Sequence, residues 1–318
     1  MTGFNGLIEF IREEFNNELN KFPIPEKPGY LYDPIRYTIN GSGKRIRPIL
    51  VHLSGRAFRV NPEHLMKIAL AVELVHNFTL VHDDIMDKDN TRRGKPTVHY
   101  QWDDATAILA GDGIFTLSQL IISSVSKQTN QVSRFFNQAA LEVCEGQAFD
   151  KEFENDLSIT ADEYLEMIEK KTGALLGACA ALPALLCGKS ENTVQVMDAF
   201  GRNLGKAFQI HDDLLEIFGD PEHVGKSLGS DISEGKQTLM VIMARTRYNK
   251  EWTVLLNKRD EVRLENYRNF FNKTGIEAEI RETARTYFDY AAEQLEILSL
   301  ENQIELRQFI SMIKNRTS

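Results

Sequence analysis

Three features of the sequence predict an all-α fold. Apolar residues recur at three- and four-residue steps over long windows, no strong alternating apolar/polar run marks a strand, and helix-start signals precede several windows. Leu7, Ile8, Ile11, Phe15 and Leu19 open the chain with an amphipathic helix. Pro23, Pro25 and Pro28 then break it, because proline lacks the amide hydrogen a helix interior needs. The pattern resumes from Asp33, pauses at Gly41-Ser-Gly43 and Pro48, and continues through windows 48–58, 63–87, 106–124, 133–149, 161–187, 194–217, 238–248, 263–273, 276–298 and 301–314. Asp104 or Thr106, and Thr160 three residues ahead of Glu163, are the expected N-caps. The stretch 219–235 is rich in glycine and poor in apolar residues, a long loop of the kind that tends to carry function. No linker or low-complexity segment divides the chain, so residues 1–318 are expected to form a single domain.

The composition narrows the partners. A net charge of −9 argues against a general nucleic-acid binder, although local basic clusters still create local fields. Cys144, Cys179 and Cys187 show neither CxxC nor zinc-like spacing and read as reduced core residues of a cytoplasmic protein. Glu9, Glu13 and Glu14 interrupt the first apolar positions, unlike a signal peptide. The most apolar run, 173–188, is too short for a transmembrane span, contains Pro183 and reads as a close-packed core helix.

The chemistry concentrates in two acidic segments. Asp83 and Asp87 are spaced i, i+4 and share one helix face, with Asp84 beside them. Like charges at that spacing repel by a few tenths of a kcal/mol, and a divalent cation reverses the cost. Mg²⁺ takes oxygen ligands and commonly bridges one or two carboxylates to substrate phosphates. On its own the segment also reads as a solvated acidic helix end. The partner changes that balance: His211-Asp-Asp-Leu-Leu-Glu216 repeats His82-Asp-Asp-Ile-Met-Asp87 with the last Asp exchanged for Glu. Such an echo predicts two helices facing each other across a bundle axis, as bundle metal sites are built.

Basic clusters accompany both segments. Gly41-Ser-Gly-Lys-Arg-Ile-Arg-Pro48 sets three cations around two glycines at a helix start, and Thr91-Arg-Arg-Gly-Lys-Pro96 follows directly on Asp87. Lys170-Lys-Thr-Gly173 and the span from Lys226 to Lys236 add further cations. Carboxylates followed by guanidinium groups suit a metal-bound phosphate, some oxygens going to the ion and others to the arginine forks. The duplicated layout suits a substrate carrying two or more phosphates.

These ordered motifs carry a resemblance. Gly-Ser-Gly-Lys44-Arg-Ile-Arg47-Pro, Asp83-Asp-Ile-Met-Asp87, Arg92-Arg93-Gly, Gly146-Gln-Ala-Phe-Asp150, Lys171-Thr172-Gly, Gln209-Ile-His-Asp212-Asp213 and Lys226 through Glu234-Gly-Lys236-Gln-Thr238 together resemble the trans-type isoprenyl diphosphate synthases of the polyprenyl synthetase family, over nearly the whole chain. The resemblance implies one bundle of antiparallel helices around a deep central cavity, a homodimer, and Mg²⁺-dependent head-to-tail condensation of an allylic diphosphate with isopentenyl diphosphate. It implies that Asp83 and Asp87, with Asp212 opposite, bind three Mg²⁺ ions, Asp213 and Glu216 belonging to the same acidic set. Arg92, Lys171, Thr172, Gln209, Lys226 and Lys236 would hold the allylic diphosphate, with Lys171 and Lys236 counted among the catalytic groups. Lys44, Arg47, His76 and Arg93 would hold isopentenyl diphosphate. Glu216 departs from the family pattern, which ends the second motif in Asp, and Met240 stands where proline is frequent.

Product length is read from the helix ahead of the first motif. Phe78, Thr79 and Val75 precede Asp83 by one to two turns, where a growing tail would descend. A bulky Phe78 stops elongation early and small Thr79 and Val75 leave room, which favours geranylgeranyl diphosphate (C20) over farnesyl diphosphate (C15). The alternative for Phe78 is sideways packing in the core. Two other functions use a similar pattern: a non-catalytic partner subunit of a prenyl synthase, for which Glu216 is the one damaged position, and an ionisation-initiated terpene cyclase. The cyclase has no use for an isopentenyl site, and Lys44, Arg47 and Arg93 argue against it.

Overall fold

The protein is described here from a computed structural model, over residues 3–125, 127–219, 229–257 and 263–316. The chain divides into two compact units: Met1–Gln138 with Ala178–Met197 and Leu298–Gln308, and Ala139–Gly177 with Asp198–Ile297 and Phe309–Ser318. Both are helical, and the strand pairing among the described residues is a two-residue hairpin, Thr91–Arg92 with Lys95–Pro96.

The first unit is built around α4 (Pro62–Met86). α1 (Phe4–Asn20), α2 (Gly29–Ile39), α3 (Ile46–Ala57) and α6 (Asp104–Ser123) all pack on it, and the short α5 (Val98–Gln101) joins the hairpin to α6. Asn61 caps α4 by accepting the Glu63 N–H at 2.9 Å, and Pro62 follows at the one position where a missing amide costs nothing. α2 begins at Gly29, earlier than the apolar pattern indicates, because Pro28 already has the extended backbone an N-cap requires (φ −71°, ψ 137°). The cap of α6 is Asp103, whose carboxylate accepts the Thr106 N–H at 2.6 Å, rather than Asp104 or Thr106. α4 and α6 are each long and apolar enough to cross a membrane by length and composition alone. α4 contributes Val72, Leu74 and Val75 to the core, whereas α6 leaves Ile108, Leu109 and Leu120 exposed.

His52 lies within the α3 core, and burial pushes its pKa down to about 4. A base depressed in the fold is held neutral there, so its contribution is complete above the unfolded value near 6.5 and is lost as pH falls from there toward 4. That amounts to on the order of 3 kcal/mol. Denaturant titrations across this window should show the loss, and His52→Leu should flatten it; an unchanged slope in the variant would assign the loss elsewhere.

In the second unit, α8 (Ala161–Ile168), α12 (Leu239–Arg247), α13 (Asn249–Leu256), α14 (Arg263–Thr274) and α15 (Ile276–Gln294) enclose a core centred on Tyr164, Trp252, Tyr267 and Phe271. Trp252 packs on Tyr267, Phe270 and Phe271 with centroid distances of 5.5–5.7 Å. α13 is a helix the apolar spacing does not announce, being only eight residues long. Thr160 and Glu163 form the expected capping box on α8. The long helices α7 (Thr129–Phe153), α9 (Ala174–Leu186), α10 (Glu191–Phe218) and α16 (Leu300–Lys314) have segments in both units. α9 is the expected buried helix, with Ala178, Cys179, Ala180 and Ala181 fully inaccessible. Of the three cysteines only Cys179 is a core residue; Cys144 and Cys187 are exposed, which corrects the core assignment for those two.

The single predicted helix 161–187 is interrupted. Between α8 and α9 the residues Glu169–Gly173 wind as a π-helix, a widening of the helical repeat found most often at functional sites.

Candidate active site

In the first unit, the last turn of α4 carries Asp83, Asp84 and Asp87, and the hairpin that follows carries Arg92 and Arg93. Arg93 and Gly94 form a tight hairpin turn with φ of 53° and 74°, a pairing of left-handed residues that matches the twist of the flanking strands. The three aspartates do not share one environment. Asp84 is buried and accepts from Arg92 Nε at 2.6 Å, with Asp89 a further 3.6 Å partner of the same guanidinium. Burial raises the Asp84 pKa and the Arg92 charge opposes that shift. Asp83 and Asp87 are partly exposed on the same turn.

The glycine turn before α3 brings more positive charge to this corner. Arg45 takes a left-handed backbone (φ 53°), unfavourable for a residue with a Cβ, at the cap of α3. Its side chain holds it there: Nη1 donates to Glu73 at 2.6 Å, Nη2 to the Gly41 carbonyl at 2.7 Å, and Nε to Asn16 at 3.0 Å. Arg45 and Glu73 side chains are each only 5 % exposed, so Arg45 is a structural cation. Removing one member of such a pair strands a buried charge. Glu73→Ala should therefore cost about 3–5 kcal/mol in urea denaturation, against about zero for an exposed pair such as Arg59–Glu301.

Lys44 on this turn and Arg93 on the hairpin are exposed, and Arg47 is partly buried. Arg93 donates to the Ser42 carbonyl. Burial first, and then the nearby charges of Arg92, Arg45 and Arg47, hold its pKa down against the attraction of Glu73. His76 is depressed well below the usual imidazole range, by burial and by Arg47, Arg93, Arg92 and Arg45 in turn. A neutral His76 among mutually repelling guanidinium groups is an environment that an anion would relieve, because it restores both the lost solvation and the charge balance. The structure thus brings together Arg47, His76 and Arg93 from three separate segments.

Below the carboxylates on α4, the Phe78 ring lies 5.1 Å from Phe115 of α6 and 4.8 Å from His82. Phe115, absent from the sequence reading, is the aromatic neighbour of Phe78 on α6. Thr79 is partly exposed and its hydroxyl donates to the His76 carbonyl at 2.8 Å. Val75 was expected beside a growing tail, but it has no accessible surface and belongs to the packed core.

In the second unit, the site is assembled by close helix packing. An alanine Cβ at Gly146 on α7 would fall 2.6 Å from Lys171 Cα, and one at Gly205 on α10 would fall 2.9 Å from the Gly173 nitrogen. Only glycine lets three backbones approach so closely around the π-helix. Lys171 and Thr172 project from it: Lys171 Nζ donates to Asp150 at 2.6 Å, and Thr172 Oγ1 donates to Gln209 Oε1 at 3.0 Å. Gln209 Nε2 donates to Asp213 Oδ1 at 2.9 Å, and Tyr164 Oη to Asp213 Oδ2 at 2.6 Å. Asp213 was expected among the metal ligands. It is buried with each oxygen accepting a hydrogen bond, and burial pushes its pKa up to about 7, Asp231 and Glu216 adding to the shift while the Tyr164 and Gln209 hydrogen bonds oppose it.

Asp212, by contrast, keeps a partly exposed carboxylate and pairs with Arg316, whose guanidinium lies 4.3 Å from the Phe208 ring centroid. Glu216 accepts the Asp231 N–H at 3.2 Å through Oε1, which ties it to the start of the short α11 (Ser230–Ser233). Lys236 stands 3.4 Å from Asp231 and 3.5 Å from Glu234. Lys226 lies outside the described residues.

Asp83, Asp87 and Asp212 offer the hard oxygen donors that Mg²⁺ prefers. Among the described residues no group of three His, Cys, Asp or Glu side chains converges as a closed metal cage. The oxygen donors of each motif, taken by itself, fit magnesium.

The family model of the polyprenyl synthetases matches residues 28–272, across both carboxylate motifs. The chain belongs to the polyprenyl synthetase family. Like other polyprenyl synthetases it is a prenyltransferase of the magnesium-dependent type with an all-α fold. Among its relatives, a geranylgeranyl diphosphate synthase of Methanosarcina mazei is 44 % identical over 221 residues, 69 % of this chain and 68 % of that one. A geranylgeranyl pyrophosphate synthase of Geoglobus acetivorans is 40 % identical over 286 residues, 89 % of each chain. The crystal structure of geranylgeranyl pyrophosphate synthetase from Pyrococcus horikoshii superposes with a TM-score of 0.90 at 35 % identity, covering 98 % of this chain and 99 % of that one.

Tyr164, Asp150, Phe115 and Arg316 are site neighbours that the sequence reading missed. Asp150 had a signal, since it ends the Gly146–Asp150 motif; Tyr164 lies seven residues before Lys171 and so on the same helix face, which periodicity alone offers for any pair.

Proposed function

We propose that this polyprenyl synthetase condenses isopentenyl diphosphate with an allylic diphosphate head to tail, in trans geometry, and that its main product is geranylgeranyl diphosphate. The observation that carries this reading is the gathering of Arg47 and Arg93 around His76, on the helix that ends in Asp83 and Asp87, close enough for their charges to depress the imidazole. A cyclase needs one diphosphate site, whereas a carboxylate bank adjoining a separate cation pocket provides for two.

In this scheme Asp83, Asp87 and Asp212 hold three Mg²⁺ ions. Bound magnesium supplies electrostatic stabilisation of the departing diphosphate. Lys171 and Lys236, with Arg92, Thr172, Gln209 and Lys226, bind the allylic diphosphate and neutralise the charge that grows on it as the C–O bond breaks. Lys44, Arg47, Arg93 and neutral His76 hold isopentenyl diphosphate. Its double bond attacks the allylic cation, and the released diphosphate takes the proton, so no side chain serves as base. Apolar side chains around the reacting carbons keep water from the cation. Phe78 and Phe115 close the floor beneath the tail. The exposed apolar face of α6, through Ile108, Leu109 and Leu120, supports a homodimer, and the cytoplasm is the proposed place of action.

Radiolabelled isopentenyl diphosphate should be incorporated in the presence of Mg²⁺ with C5, C10 or C15 allylic starters, the C20 alcohol dominating after dephosphorylation and chromatography. No incorporation with any starter would overturn the proposal.

A further inference from the structure

The two acidic motifs share a detail their sequence echo does not announce. In each, the second aspartate is the buried one, and it is bonded to a side chain expected to bind diphosphate: Asp84 to Arg92, and Asp213 to Gln209. The first aspartate of each, Asp83 and Asp212, retains partial exposure.

The second motif can be followed furthest. Tyr164 is 2 % exposed and donates its one hydroxyl proton to Asp213 Oδ2. Asp213 Oδ1 accepts from the Gln209 amide, which orients that carboxamide with nitrogen toward Asp213 and oxygen toward Thr172. Thr172, in turn, gives its only hydroxyl proton to Gln209 Oε1. A hydroxyl has one proton to donate and a primary amide has two. In this arrangement the Thr172 proton is committed inside the protein, while Gln209 keeps a second N–H for an incoming anion.

We infer that Tyr164 and Asp213 are positioning residues, a buried clamp that aims the second Gln209 N–H at the allylic diphosphate, and that Asp213 does not bind metal. This inference rests on the reaction proposed above and adds how one corner of that site is held. It gives the second aspartate of the motif a role separate from the first.

Two measurements on the full-length protein test it. Mn²⁺ binding in the presence of inorganic pyrophosphate, followed by electron paramagnetic resonance, requires no turnover. Asp213→Asn should bind Mn²⁺ within about threefold of the unaltered protein, whereas Asp212→Asn should bind it at least about tenfold more weakly, the step expected for loss of a charged ligand. Equal weakening in both variants would make Asp213 a ligand and overturn the assignment. In steady-state kinetics, Tyr164→Phe removes only the hydroxyl. It should raise KM for the allylic diphosphate about tenfold, the size of one hydrogen bond to a charged group, with kcat and the KM for isopentenyl diphosphate changed less than about threefold. Gln209→Leu should raise the same KM, and the double variant should be no worse than Gln209→Leu alone, because Tyr164 acts through Gln209. Multiplying effects, or a fall in kcat with both KM values raised, would show a merely structural tyrosine. If the unaltered protein incorporates no isopentenyl diphosphate, the reaction itself is wrong, and the Mn²⁺ measurement still decides the role of Asp213.

Discussion

Asp83→Ala should abolish turnover and leave the fold standing. The carboxylate sits on the last turn of α4, partly exposed, one turn from Asp87. The structural anchoring of this turn runs through its neighbour, since Asp84 is buried and pairs with Arg92 at 2.6 Å. Removing Asp83 deletes a proposed magnesium ligand and with it stabilisation that matters only as charge develops on the leaving group, so kcat/KM should fall by on the order of 10³-fold or more. The same change relieves an i, i+4 repulsion of a few tenths of a kcal/mol. Thermal unfolding followed by circular dichroism should accordingly show Tm within about 2 °C of the unaltered protein. Asp84→Ala should behave differently, lowering Tm as well, because a half-buried Arg92 loses its partner. A collapse of the fold in Asp83→Ala would make Asp83 a structural residue and remove it from the proposed metal site.

Phe78→Ala should lengthen the product. Its ring lies 5.1 Å from that of Phe115 in the proposed floor, and an alanine there removes a benzyl group from the proposed path of the tail. The surrounding core relaxes only partly around such a deletion. Prenyl tails grow in five-carbon steps, so even one further condensation is resolved by chromatography of the dephosphorylated alcohols. C25 and longer alcohols should replace C20 as the main product, with the rate of isopentenyl incorporation changed less than the chain-length distribution. Because Phe115 remains in contact range, Phe78→Ala with Phe115→Ala should extend the product further than either change alone. An unaltered distribution in both variants would mean that the two rings pack sideways in the core and that the tail is stopped elsewhere.

Much of this was legible in the chain itself because the relevant signals are local. Leu7, Ile11, Phe15 and Leu19 announce a helix by spacing, and the capping box at Thr160 and Glu163 forms as their spacing predicts. The grouping of Lys44, Arg47 and Arg93 with His76 was accessible only through family resemblance; in the structure the charges of Arg47 and Arg93 act on His76, while Lys44 is exposed. Other features left little trace. The π-helix at Glu169–Gly173 depends on neighbours at Gly146 and Gly205, which lie on other helices. Arg45 looked like one more phosphate-binding cation, yet a buried Glu73 claims it. Phe78 and Val75 are near neighbours on one helix, but Val75 is sealed in the core while Phe78 is not.

By itself the sequence determined the helical class, the family, and the residue types proposed to meet diphosphate, because periodicity, capping and motif order are properties of short stretches of chain. The tertiary structure alone decided which member of each aspartate pair turns inward and which cation is structural. Those outcomes depend on who the neighbour is after packing: Asp84 is anchored by the guanidinium of Arg92, Asp213 by a buried tyrosine and an amide, and Arg45 by a buried glutamate.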